Sequence, residues 1–168
     1  MAIMNLKVTD IEETDKNAIV SWFELFLNDH LRNWKNIYGT EPKLRSGLAE
    51  KQWNMLLNAS HDPSHLVRIA RDDGQPVGVV WGVVKDDDWF NCKTGYIFWI
   101  AINPNFKGRG IGKLLMETVE DWFKIQGVKG KSLNVSSENE SAIKLYQKFG
   151  YQIADHKMIG PGVRLSLD

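Results

Sequence analysis

Gly108, Gly110 and Gly112 alternate along the chain, with Lys107, Arg109 and Lys113 beside them. Residues lacking a Cβ adopt unusual dihedrals freely and let backbone N–H groups come close to a ligand. Placed between a strand and an amphipathic helix, such a run forms an anion nest. The first turn of the helix adds unpaired N–H donors and a partial positive charge. A phosphate or pyrophosphate is therefore the predicted guest of Lys107, Gly108, Arg109, Gly110, Ile111, Gly112 and Lys113. A Walker loop is excluded by spacing, because Leu114 follows Lys113 where Ser or Thr is required. A dinucleotide fingerprint would need its third glycine at position 113. The competing reading, in which the glycines serve only a tight connection, leaves the three flanking cations unexplained.

Other reactive side chains point to less. His30, His61, His65 and His156 lack metal-ligand spacing and Cys92 stands alone, so neither a metal nor a cysteine nucleophile is expected. Trp34, Tyr38, Trp81, Trp89 and Trp99 either line an acceptor pocket or belong to the core. Asp86, Asp87 and Asp88 read as a solvated turn, with attraction of a polyamine as the alternative.

The elements that must position the glycine run are legible from periodicity. Ile3 to Val8 reads as a strand, and Thr14 and Asp15 offer capping oxygens to a helix with Ala18, Ile19, Trp22, Phe23 and Phe26 on one face. Asp29 to Pro42 loses the pattern and reads as a loop, after which Ser46 caps a second helix burying Leu48, Trp53, Leu56 and Leu57. Leu66 to Ala70 and Pro76 to Val84 form a hairpin across Asp72-Asp73-Gly74. The unbroken apolar run from Tyr96 to Ile102 suits a central strand covered on both faces, stopped by Asn103-Pro104. Ile111, Leu114, Leu115, Val119, Trp122 and Phe123 make the stripe of the next helix, which ends at Gly127. A strand from Ser132 to Val135 follows. Ser137 and Glu140 have capping-box spacing for a last helix, with Ala142, Leu145, Tyr146 and Phe149 inward. Tyr151 to Met158 and Val163 to Leu167 close the sheet as a hairpin.

Composition fits one globular domain over residues 1–168. Apolar residues make up 43%, and the 21 Lys plus Arg balance the 21 Asp plus Glu. No net field draws the chain to nucleic acid or an anionic membrane. No apolar run approaches the roughly 20 residues that span a bilayer. The single cysteine and the absence of a signal-peptide pattern lead to a cytoplasmic expectation.

The segment Ile100 to Leu115, IAINPNFKGRGIGKLL, resembles the acetyl-CoA-binding motif of the GNAT superfamily of N-acetyltransferases. Asn139 to Tyr151, NESAIKLYQKFGY, is similar to the downstream motif of the same superfamily. The resemblance implies an α/β fold of the α+β type: a mixed, mainly antiparallel, centrally splayed sheet of about seven strands flanked by about four helices. It implies that Ile100 and Ile102 offer main-chain groups to the pantetheine arm of acetyl-CoA, that Lys107 to Lys113 hold its pyrophosphate, and that Asn139 approaches the arm. Lys107 stands where the superfamily usually has Arg or Gln, a change that backbone contacts tolerate.

Tyr146 is implied as the acid that protonates the departing thiolate. A phenol of pKa about 10 facing a thiol of about 8.5 can stabilise that charge, although its place on the apolar stripe also suits a core residue. Relatives often carry a Glu base on the central strand, but Thr94 to Ile102 contains no carboxylate. A weakly basic amine, or proton loss through water, is expected instead. The implied reaction is acetyl transfer to a primary amine, whether a small molecule, a polyamine or a peptide. The alternative is a noncatalytic acyl-CoA-binding domain of the same fold. A homodimer is a further possibility.

Overall fold

The computed structural model describes residues 4–38 and 43–154, with the backbone alone at 33, 34 and 36–38. The elements run β1 (Leu6–Thr9), α1 (Lys16–Tyr38), α2 (Leu48–Ala59), β2 (His65–Asp72), β3 (Gln75–Asp86), β4 (Lys93–Ile102), α3 (Ile111–Ile125), β5 (Gly130–Leu133) and α4 (Glu140–Lys148). Short 3-10 turns precede α1 at Glu13–Asp15 and follow β4 at Pro104–Phe106. The strands form one mixed sheet in the order β1-β2-β3-β4-β5. Each pair is antiparallel except β4 with β5.

The β2–β3 hairpin turns where expected. Asp73 and Gly74 both take positive φ, 47° and 85°, as a two-residue turn matched to strand twist requires. One sheet face carries Leu66, Val80 and Ile97 against Leu115, Val119 and Phe123 of α3. The other carries Val67, Val79, Trp81 and Trp99 against Ile19 and Trp22 of α1 and Trp53 and Leu56 of α2. The α3 face is unusually bare beneath the helix. A Cβ at Gly82 would lie 2.7 Å from Val119 Cγ2, and one at Gly95 2.7 Å from Phe123 Cε1. Both positions need glycine so that α3 can lie low on the strands. At the sheet's edge, the buried Asp15 and Arg71 form a bidentate pair, with both bonds at 2.8 Å, while Arg71 Nε donates to Thr9 Oγ1 at 2.8 Å. This joins β1, the turn before α1 and β2.

Several expectations shift. The loop assigned to Asp29–Pro42 is helical as far as Tyr38, with residues 39–42 outside the described part. Polar pairs can support a helix where the apolar period lapses, and here Asp29 and Arg32 pair at 3.1 Å. Ser46 does not cap α2; Gly47, at φ 72°, is the N-cap without a side-chain bond. The strand expected at Ser132–Val135 is β5, two residues earlier. Asn139 rather than Ser137 caps α4, its side chain accepting from Ala142 N–H. Five strands stand among the described residues where about seven were expected. Of the final hairpin, residues 151–154 are not strand and residues 155–168 lie outside the described part.

Candidate active site

The site begins where β4 and β5 part. Their parallel pairing runs from Thr94↔Gly130 to Ile97↔Leu133 and stops. Among the described residues, Phe98–Ile102 continue with a strand partner on one side only, namely β3. Between Trp81 and Gly82 the β3–β4 register shifts: Trp81 opposes Trp99, Gly82 opposes Ile97, and Phe98 is the extra residue of a β-bulge. The bulge reverses which face each side chain takes. Ile97 points to α3 before it, and Ile100 and Ile102 pack against that core after it. The central strand therefore does not run covered on both faces as its apolar sequence suggests, because Phe98 is left 48% exposed.

The main-chain phase of this stretch follows from one hydrogen bond. Asn103 N–H donates to Val77 carbonyl at 2.9 Å. In an antiparallel ladder, residues that exchange bonds alternate with residues whose N–H and C=O both point away from the partner. Asn103 faces β3, so Ile102 and Ile100 turn their main-chain groups to the opposite edge. No strand among the described residues pairs there.

The free edge leads into the glycine loop. Asn103 Oδ1 accepts from Asn105 N–H at 3.1 Å and starts the 3-10 turn. Gly108 and Gly110 sit at φ 76° and 83°, and a Cβ on either would meet nothing within 4 Å, so the concave side is open. Gly110 caps α3 without a side-chain bond. Because the first intrahelical bond runs from Leu114 N–H to Gly110 carbonyl, the N–H groups of Ile111, Gly112 and Lys113 precede the ladder. Gly112 serves packing as well, since a Cβ there would lie 3.0 Å from Leu145 Cδ2 and 3.1 Å from Ile102 Cδ1, and its absence lets β4, α3 and α4 meet. Lys107 and Arg109 are exposed, Arg109 lying 5.0 Å over the Phe106 ring, and Lys113 pairs with Glu117 at 3.3 Å. Uncapped amides with exposed cations around them can hold an anion of the size of a diphosphate.

On α4, Asn139 Oδ1 is engaged by Ala142 N–H at 3.2 Å and Ser141 Oγ at 3.1 Å, which leaves its amide NH2 as the group with free donors. Tyr146 packs against the α3-side core, and burial pushes its phenol above the usual tyrosine range. Its hydroxyl has no hydrogen-bond partner among the described residues and is not sealed from solvent. It is thus a protonated donor at neutral pH. Tyr151, whose ring lies 6.2 Å from that of Tyr146, donates to Glu120 Oε1 at 2.8 Å. Burial first and Glu120 second raise the Tyr151 phenol, and Lys131 also bonds Glu120, so α3, β5 and the segment after α4 are tied together.

The aromatic residues divide. Trp81 and Trp99 are buried between the sheet and α1, Trp89 is 89% exposed, and the side chains of Trp34 and Tyr38 lie outside the described part. Asp87 organises the acidic turn, accepting from Trp89 and Phe90 N–H at 2.9 Å each, and these bonds hold its carboxyl below the usual range. Sequence reasoning did not single out Phe98, the exposed residue at the register shift where β4 leaves β5. Its only signal is that an apolar run of this length has no visible phase.

The chain resembles proteins of known type over much of its length. It is 28% identical over 106 residues to an uncharacterized N-acetyltransferase, YdgE, of Bacillus subtilis, covering 62% of this chain and 66% of that protein. It is 28% identical over 113 residues to mycothiol acetyltransferase of Propionibacterium freudenreichii subsp. shermanii, covering 67% of this chain but 35% of that protein. The chain thus spans less than two thirds of the length of either relative. Among solved structures, the aminoglycoside N-acetyltransferase AAC(6')-Iy in complex with CoA superimposes with a TM-score of 0.65 at 18% identity, covering 98% of both chains. That likeness is one of fold. The profile of the Acetyltransferase (GNAT) family matches residues 22–151, from within α1 to just past α4, and this chain belongs to that family.

Proposed function

We propose that the chain is an acetyl-CoA-dependent N-acetyltransferase acting on a primary amine. The observation that carries this reading is the continuity of the free edge of β4 with the uncapped start of α3. Main-chain groups at Ile100 and Ile102 offer ladder-type hydrogen bonds to an extended amide chain, and the loop that follows ends in amides with an open concave side. In CoA the two amides of the pantetheine arm are followed by a diphosphate. The residues present therefore fit acetyl-CoA: Lys107 to Lys113 would hold the diphosphate and Ile100 and Ile102 the arm. The Asn139 amide would reach the arm from the other side. An aminoglycoside N-acetyltransferase of this fold is known in complex with CoA, which agrees with CoA as the ligand.

When bound, acetyl-CoA supplies an activated thioester carbonyl. The amine nitrogen forms a bond to the carbonyl carbon as the carbon–sulfur bond breaks, and the amine gives its surplus proton to water. The thiolate takes a proton from the Tyr146 hydroxyl, which is restored from solvent. Tyr146 is suited to this because burial keeps it protonated and its hydroxyl is uncommitted. No carboxylate stands between Thr94 and Ile102 to act as base, so the amine is either weakly basic or loses its proton through water before it attacks.

Calorimetric titration of the folded protein with CoA and acetyl-CoA, followed by thiol release with a panel of primary amines, tests the reading. Binding of both and turnover of at least one amine is expected. No heat with either ligand refutes it. Binding without turnover on any amine would identify an acyl-CoA-binding module instead.

A further inference from the structure

Phe98 is the first residue of β4 to leave β5, and it marks the inner end of the free edge. Four residues of strand separate it from Ile102, about 13 Å. On the face toward α1, the Trp81 ring lies 4.3 Å from Phe98 and Tyr96 meets Phe98 edge-on at 6.0 Å. Trp81 is fixed from behind, its indole N–H donating to His65 Nδ1 at 2.9 Å. A second aromatic run arrives from α1. Phe23 meets Trp99 edge-on at 5.7 Å, and Phe26 stacks on Phe23 at 5.5 Å. The two runs converge on the adjacent residues Phe98 and Trp99. Each leaves one ring half in water, Phe98 at 48% and Phe26 at 47% exposure. Neither run contains a carboxylate.

We propose that this aromatic wall is the acceptor surface, with Phe98 and Phe26 as its specificity-determining residues, and that the preferred acceptor is a primary amine on an aromatic body, an arylalkylamine. The inference rests on the acetyl-CoA reading above, because it is the free edge of β4 that brings the thioester to Phe98. Two half-exposed rings offer edge and face contacts to a third ring but few hydrogen bonds to a polar body. Ring faces also attract an ammonium group, so the charged form of such an amine binds there too. With no carboxylate base on β4, the amine loses its proton to water before it attacks.

Binding to the CoA-loaded, full-length protein tests this without relying on turnover. Calorimetry with 2-phenylethylamine and with glucosamine is expected to show the arylalkylamine binding at least tenfold more tightly. Phe98→Ala should weaken 2-phenylethylamine by between about twofold and tenfold, the range of a ring–ring contact, with CoA affinity unchanged. Phe26→Ala, on a separate element, should act in the same direction and serves if Phe98→Ala folds poorly. Equal affinity for glucosamine, or folded Phe98→Ala and Phe26→Ala variants that both bind 2-phenylethylamine like the parent, overturns the inference while leaving the acetyl-CoA reading intact. Failure of CoA itself to bind removes the acetyl-CoA reading and this inference together.

Discussion

Replacing Asp15 by Ala should cost this protein about 3–5 kcal/mol, the range found when one partner of a buried ion pair is removed. Asp15 is 1% exposed and receives two guanidinium bonds of 2.8 Å from Arg71, itself 9% exposed. Hydrogen bonds to charged groups contribute about 1.5–3 kcal/mol each, so losing two gives a similar figure. The truncation also frees Glu12 N–H, which Asp15 Oδ2 accepts at 2.9 Å. Two groups soften the loss. Arg71 keeps Thr9 Oγ1, and Glu12 lies 3.8 Å from its guanidinium, although that carboxylate is largely in water and screened. The lower half of the range is therefore expected. Urea denaturation at neutral pH should show a reduced midpoint with an unchanged slope, and the melting temperature should fall by roughly 6–16 °C. In a double-mutant cycle with Arg71→Met, the paired replacement should cost less than the sum of the single changes by about 2 kcal/mol or more. A loss below about 1 kcal/mol for Asp15→Ala, or strict additivity in the cycle, would refute the claim that this pair closes the β1–β2 corner.

Tyr146→Phe should lower kcat about 100-fold, the low end of general-acid effects, because a thiolate with a parent pKa near 8.5 can also leave unprotonated; KM for acetyl-CoA should change little, and an unchanged kcat removes the proposed acid. Since burial raises the Tyr146 phenol, its proton-bearing form persists beyond the ordinary tyrosine value, and the rate profile of the parent should show no fall from loss of this acid below about pH 10. Gly95→Ala places a methyl group 2.7–2.9 Å from three atoms of the buried Phe123 ring and should destabilise the fold by about 1–3 kcal/mol in denaturant titration. A smaller effect would mean that α3 can lift from the sheet.

Where a residue's environment is set by its neighbours in sequence, the chain could be read directly. The stripe of α3, the Asp73-Gly74 turn and the glycine run announce themselves because period, turn dihedrals and missing Cβ atoms are local properties. The extension of α1 past Asp29 was not legible, since Asp29, Asn28 and Arg32 break the apolar repeat that marks its first turns. Asn139 and Ser137 carry equivalent capping oxygens, and backbone geometry alone chooses between them. The bulge at Phe98 is hidden for a deeper reason. Between Tyr96 and Ile102 every side chain is apolar, so a slip of one residue leaves no trace in composition, yet it decides which ring stands exposed where β4 leaves β5. Arg71 and Asp15, 56 positions apart, look like two ordinary surface charges until the sheet brings them together.

The glycines under α3 have a consequence for how a ligand would arrive. With the helix seated against bare strand at Gly82 and Gly95, both anchors of the segment from Asn103 to Gly110 are immobilised before anything enters. Fixed ends lower the ordering entropy that would oppose capture of an anion by the segment. Association should accordingly be governed by diffusion and orientation, without a slow folding of the loop around the captured molecule.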